Sequence, residues 1–281
     1  MTKKVAIIGY GWLGQPLASL LVNFDYSVIA TCRTPEKIAQ IEGSESLALN
    51  LSIQQVNLSS ESSGIEQLAL DDFDCVVIAI TPGFKRGATD YADNVASIVA
   101  HAQRHHVRQV ILLSSTGVYT GLTGELSEQS ELNLSVDKVR QLNAAEQSVL
   151  SFNGHAQVLR LAGLVGPKRF PGSFLAGKTQ LKDADAKVHL LHQSDAVNII
   201  AKFIEQPHLS GIFNCVSPSD STRELFYQKA AAVQELVPPQ FDREIAQSPC
   251  KIINGEKLQQ TLSYSFVVDD LLAWLSADNN Q

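Results

Sequence analysis

Apolar and polar positions along this chain switch repeatedly between two periods. Val5-Ala6-Ile7-Ile8 is an unbroken apolar run and reads as a strand buried on both faces. Directly after it, Gln15 to Val22 places Leu17, Leu20 and Leu21 at helical spacing. The switch recurs down the chain. Strands are predicted at Ser27–Thr31, Cys75–Ile80, Gln109–Leu113 and Gln157–Leu161. Helices are predicted from Pro35 and Glu36 onward, from about Asp90 to His105, and from about Ser135 to Leu150. A further strand, weakly marked, is expected around Ser46 to Leu51, and the serine-rich stretch Ser59 to Glu66 reads as a loop and a short helix. Strands separated by helical segments predict an α/β fold built on a doubly wound parallel sheet. Ligands of such sheets bind beyond the carboxyl ends of the strands. Functional residues are therefore expected in the loops after Ile8, Thr31, Ile80, Leu113 and Leu161.

From Gly163 the alternation stops. Gly163 to Gly172 is rich in Gly and Pro. A short strand and a helix then span His189 to Glu205, with Ser194 or Asp195 placed to cap the helix. Gly211 to Val216 reads as another strand, Ser217 to Ser221 as a turn capping a helix that runs to about Val233, and Lys251 to Ile253 as strand-like. The tail from Ser276 to Gln281 is polar and reads as disordered.

Composition narrows the class. The chain has 281 residues, 44% hydrophobic and 18% charged, as expected of a soluble globular protein. A net charge of −7 argues against general attraction to nucleic acid or membrane. No apolar run approaches the ~18 residues of a membrane span. Met1-Thr2-Lys3-Lys4 runs straight into the first strand, which leaves no room for a cleavable signal, so a cytoplasmic location is expected. Cys32, Cys75, Cys215 and Cys250 are widely spaced and read as reduced thiols. His101 and His105 lie one turn apart, with His106 beside them. No acidic or cysteine partner is close in the sequence, so a solvated helix end is expected rather than a metal site. His189 and His192 are read the same way, and no metal is expected.

The chemistry begins at Gly9-Tyr10-Gly11-Trp12-Leu13-Gly14, a G-x-G-x-x-G between the first strand and the first helix. Gly9 permits the tight turn, Gly11 admits a pyrophosphate close to the backbone, and Gly14 lets helix and strand pack closely. The helix N-terminus then offers N–H groups and partial positive charge to the phosphates. Trp12 either covers the cofactor or packs on the first helix. The next strand ends at Cys32-Arg33-Thr34, about 20 residues past the glycines, where NAD-specific sites carry an acid for the ribose 2′-hydroxyl. Arg33 stands there instead, and a guanidinium can grip a 2′-phosphate with forked hydrogen bonds. NADP(H) is therefore favoured over NAD(H). Thr34 can add a hydroxyl to the site or cap the following helix. Thr81-Pro82-Gly83 should pass beside the adenosine ribose.

Taken together, the glycine loop, Ser114-Ser115-Thr116-Gly117-Val118-Tyr119, Leu159-Arg160 with Gly163 to Pro167, His192 to Asp195, and Gly211 to Cys215 resemble the extended short-chain dehydrogenase/reductase superfamily, in its epimerase/dehydratase branch. The glycine spacing departs from the branch's usual G-x-x-G-x-x-G. The resemblance implies a Rossmann domain over residues 1–165, completed by about 188–216. It also implies a small discontinuous substrate-binding lobe with C-terminal helices over 166–281, and a homodimer through the helices after the fourth and fifth strands. It further implies Ser114 at the cofactor and Ser115 as the serine that orients a reacting oxygen. The family's Tyr-x-x-x-Lys pair is missing. Lys138 falls where the Tyr belongs and Leu142 where the Lys belongs. Tyr119 is the nearest phenol and Lys138 the nearest amine for acid/base work, although the resemblance also implies that Tyr119 is a substrate-side or structural residue packed below the substrate. The readings left open are an enzyme with a substituted acid/base, a reductase that protonates its product through water or the substrate itself, and a non-catalytic dinucleotide sensor.

Charge placement suggests the substrate. Lys85 and Arg86 follow the fourth strand, and Lys168 and Arg169 follow the sixth. Arg223 starts a helix, where a cation is disfavoured unless an anion faces it. An anionic, sugar-like or nucleotide-linked small molecule is expected.

Overall fold

The computed structural model describes residues 2–44, 48–59 and 62–277. Seven strands form one parallel sheet: β1 (Lys4–Ile8), β2 (Ser27–Cys32), β3 (Leu51–Gln55), β4 (Cys75–Ile78), β5 (Gln109–Ser115), β6 (His155–Leu161) and β7 (Gly211–Cys215). Their spatial order is β7-β6-β5-β4-β1-β2-β3. The first apolar run is thus an interior strand, paired on both sides. Val5 lies opposite Val28 of β2 on one side and Cys75 of β4 on the other. Strand order reverses at β1, which opens a crevice between the β1 and β4 carboxyl ends, the usual ligand position in such sheets.

Helices cover both faces: α1 (Gly14–Asn23), α2 (Pro35–Ser44), α3 (Tyr91–Arg104), α4 (Asp137–Leu150) and α5 (Gln193–Glu205), with α6 (Arg223–Val233) after the sheet is complete. Leu17 and Leu21 of the predicted stripe are buried together with Ala18, whereas Leu20 is only half-buried.

The chain separates into two compact units. One comprises 1–118, 133–160 and 197–213; the other comprises 119–132, 161–196 and 214–281. Segment 119–132 therefore goes with the second unit, a placement the expected boundary near 165 does not contain. The second unit has its own core of Val165, Val188, Leu190, Phe226, Leu271 and Leu275. Two small parallel strand pairs brace it, Gly163–Val165 with Leu190–His192 and Gly124–Leu126 with Lys251–Ile253.

Several expectations are corrected. The third strand is Leu51–Gln55, one stretch later than expected, and residues 46–47 lie outside the described residues. Within the serine-rich stretch, Gly64–Gln67 is a single 3-10 turn, and residues 60–61 lie outside the described residues. So do residues 278–281 of the polar tail. Asp195 does not cap α5. It is fully buried, and its carboxylate accepts from Tyr264 Oη (2.8 Å) and from the Val267 and Val268 N–H groups (2.7 and 3.0 Å). Thr222, rather than Ser217–Ser221, caps α6.

His101 is not solvated. It is buried with its Nε2 2.7 Å from the Leu68 carbonyl oxygen, and the fold brings Glu66 to its other nitrogen and Asp71 to His105. No metal-binding cluster occurs among the described residues. No described helix is long and apolar enough to cross a membrane. All four thiols are free, and Cys32, Cys75 and Cys215 are buried.

Candidate functional site

The glycine loop is built by close approach. Gly9 holds φ 122°, and a Cβ there would sit 2.9 Å from the carbonyl oxygen of Ala79, the residue just after β4. A Cβ on Gly14 would lie 2.1 Å from the Gly9 oxygen, so helix and turn can touch only without a side chain. Around Gly11 nothing lies within 4 Å of a Cβ position, leaving its backbone open. Thr31 fastens the loop, its Oγ1 accepting from the Gly9 N–H (3.1 Å) and its carbonyl from the Tyr10 N–H (2.7 Å). No side chain caps α1 and no acid lies in its first turn, so its N–H groups remain for an anion.

Beyond the ends of β1, β2 and β4 lies a cleft of about 510 Å³. Gly9, Gly11, Arg33, Thr34, Thr81 and Pro82 all line it, together with Val56 and Leu58 as apolar wall. The Thr34 Oγ1 also accepts from the Lys37 N–H (3.4 Å), so Thr34 serves as both helix cap and cleft wall. The side chains of Trp12 and Leu13 do not line the cleft; Leu13 packs in the core and Trp12 is half-buried. The open glycine backbone, the uncapped helix and the basic wall fit the phosphates of a dinucleotide.

Two wall residues gave no dinucleotide signal in the sequence. Lys37 lies one turn into α2, and Arg86, expected at the substrate rim, lines this same cleft; Asp90 at the start of α3 contributes a carboxylate. Tyr91 also borders it. Its hydroxyl is the buried side-chain polar atom without a hydrogen-bond partner among the described residues, and burial, then the nearby Glu146 charge, push the phenol up.

At the end of β5 the two serines diverge. Ser114 Oγ donates to Glu146 Oε1 (2.6 Å), so its side chain is committed to the interior and does not face a cofactor. Ser115 Oγ accepts from the Gly117 N–H (3.0 Å). A Cβ on Gly117 would lie 3.2 Å from Ser115 Oγ and 3.7 Å from Lys138 Cε, so both side chains border the Gly117 position. Leu142, in the place of the family's lysine, is a core residue at 1% exposure.

Tyr119 is corrected as an acid/base. The ring is fully buried, and its hydroxyl lies 2.8 Å from Asn214 Oδ1 and 2.9 Å from the Ser127 carbonyl, all within the second unit. It braces that unit. Arg223 is corrected as well. Its Nη1 donates to the Lys182 carbonyl (2.8 Å), its guanidinium lies 3.8 Å from Asp183, and it stacks over Phe241 (5.5 Å). These partners, not a substrate, explain a cation at the start of α6. Lys85, Lys168 and Arg169 are exposed, Lys168 at φ 59°.

Residues 9–164 match the model of a family described as NAD(P)H-binding. The Escherichia coli K12 protein YeeZ is 34% identical over 275 residues, covering 96% of this chain and 98% of its own. Two solved structures share the fold. A functionally unknown conserved protein from Silicibacter pomeroyi DSS superposes with TM-score 0.75 at 22% identity, over 100% of both chains. The UDP-glucuronic acid 4-epimerase from Bacillus cereus, in complex with UDP-glucuronic acid and NAD, superposes with TM-score 0.77 at 17% identity, over 98% of this chain and 97% of its own.

Proposed function

This chain belongs to the NAD(P)H-binding family and has the fold of the NAD-dependent epimerases, and from that premise we propose that it is an NADP(H)-dependent oxidoreductase of the epimerase/dehydratase type. Its substrate is a hydroxyl or carbonyl compound carrying an anionic, sugar-like or nucleotide-linked group. The observation that carries this reading is that Ser115 and Lys138 both border the Gly117 position, where a family member's reacting groups would stand. A bound nicotinamide supplies or accepts hydride. Ser115 orients the reacting oxygen, and Lys138 holds or delivers the proton at that oxygen in place of the absent phenol. Arg33, standing where an NAD site carries an acid, supports the preference for NADP(H). Exposed Lys168 and Arg169 support an anionic substrate.

A second reading is favoured by Leu142. With an apolar core residue in the place of the ribose-holding lysine, the chain is a dinucleotide-binding sensor without turnover. The test is a screen of nucleotide sugars and sugar acids by NADPH absorbance, with Ser115→Ala and Lys138→Met as controls. Turnover that Lys138→Met lowers by about 100-fold, with NADPH affinity unchanged, supports the enzyme. Tight NADPH binding with no turnover across the screen supports the sensor.

A further inference from the structure

Apart from Arg169, the arginines of this protein fall into two groups. Arg104, Arg108, Arg140, Arg160 and Arg243 each face a carboxylate, and Arg223 faces a carbonyl and a carboxylate. The guanidinium groups of Arg33 and Arg86 have no hydrogen-bond or ion-pair partner among the described residues, and both line the dinucleotide cleft. Lys37 lines it too, with its Nζ on the neutral Gln40 Oε1 (3.1 Å), so its charge is not cancelled.

The turn that carries Arg86 is built and anchored. Gly83 and Gly87 flank the 3-10 turn Phe84–Arg86 at φ 70° and 76°, a conformation that favours glycine. The Arg86 N–H donates to the Gly83 carbonyl (2.8 Å), and a Cβ on Gly83 would come within 3.0 Å of the Ala88 Cβ. Phe84 packs edge-on against the buried Tyr91, ring centres 6.1 Å apart. The cation is thus held on a fixed turn. The N-terminus of α2, capped by Thr34, adds partial positive charge at the same wall.

We propose that Arg86 and Lys37 complete, with Arg33, a three-cation site for the 2′-phosphate of NADP(H). The loop after β4 then reads the cofactor and not the substrate. This rests on the NADP(H) reading above and extends it to two residues outside the β2 turn. A bare 2′-hydroxyl leaves three lining cations and, among the described residues, one lining carboxylate, Asp90. A phosphate dianion balances them with charge-assisted hydrogen bonds.

The test uses probes that differ only in that phosphate. The full chain is titrated with 2′,5′-ADP and with 5′-AMP, as wild type and as Arg33→Ala, Arg86→Ala, Arg86→Lys and Lys37→Ala, with circular dichroism melts to show that each variant is folded. The wild type is expected to bind 2′,5′-ADP at least about tenfold tighter. Arg86→Ala and Lys37→Ala each lose about tenfold for 2′,5′-ADP and less than about twofold for 5′-AMP, and Arg86→Lys recovers part of the loss. Raising salt narrows the preference. If Arg33→Ala removes the preference while Arg86→Ala and Lys37→Ala keep it, this inference is overturned and the NADP(H) reading stands. A wild type that binds the two probes equally overturns both. An Arg86→Ala variant that alters substrate KM but neither nucleotide affinity returns Arg86 to the substrate rim.

Discussion

The carboxylate of Glu146 and the guanidinium of Arg160 meet at 2.7 Å with almost none of either side chain exposed (0% and 3%). The Arg160 Nε–H adds contacts of 3.1 and 3.2 Å to the two carboxylate oxygens, and Ser114 donates to the same carboxylate. The pair ties α4 to β6 and, through Ser114, to β5, directly beneath the Ser115 turn.

Removing one partner strands the other charge in the interior. Glu146→Leu is expected to cost ~3–5 kcal/mol in urea unfolding, and Glu146→Leu with Arg160→Met to recover most of it. A double variant as unstable as the single one would mean that shape, not charge, sets the loss.

Gly11 and Gly14 should fail in different ways. Gly14→Ala drives a methyl into the Gly9 carbonyl and should cost ~2 kcal/mol or more in stability. Gly11→Ala meets no protein atom, so its melting point should hold while NADPH binds about tenfold more weakly. Unchanged affinity in Gly11→Ala would show that the cofactor does not approach that backbone.

Tyr91→Phe removes a buried hydroxyl that has no partner among the described residues. Stability is expected to stay level or rise by up to ~1 kcal/mol, because no hydrogen bond is lost and a desolvated polar atom is removed. A clear fall in the thermal midpoint would reveal a hidden partner.

His189 should make the fold acid-sensitive. Its Nε2 accepts from the Ile253 N–H (3.1 Å), and burial, then the Lys251 charge, lower it to about 4 from the ordinary 6.5. Above pH 6.5 the ring is neutral in both states. Between 6.5 and 4 the unfolded chain takes up a proton that the folded chain refuses, so stability falls as pH drops, and the slope ends below about 4. The loss is on the order of 2 kcal/mol after allowance for partial exposure. Chemical denaturation at pH 7 and 4.5 should show a smaller drop in His189→Gln than in the wild type; equal drops would place the proton uptake elsewhere.

Local signals made the sheet legible. Runs such as Val5–Ile8 and Cys75–Ile78 are buried by neighbours on both sides, and such strands appear in sequence as unbroken apolar stretches. The glycine loop is legible because Gly9 and Gly14 answer close contacts at the turn itself and Gly11 keeps its backbone open, a pattern set within six residues. Leu51–Gln55 was poorly legible because an edge strand half open to water carries Ser and Gln at alternate positions. That Arg86 and Lys37 line the same cleft as Arg33 is not legible in the sequence, because it depends on how the loop after β4 folds against the start of α2. The reach of Tyr119 to Asn214 and of Asp195 to Val267 and Val268 spans 95 and up to 73 positions, a pairing no period or short motif encodes. Nothing local in the sequence around Glu146 marks the buried Arg160 that it faces.

The pairing of Gly124–Leu126 with Lys251–Ile253 has a consequence for how the protein is made. On the ribosome the earlier strand emerges well before its partner is synthesised, and at ~5–20 residues per second the interval is on the order of ten seconds. For that time its hydrogen-bonding edge is available to any other nascent chain. Glu125, exposed in the finished protein, places a charge in the middle of that edge, the kind of residue that discourages strand-to-strand association while the chain waits.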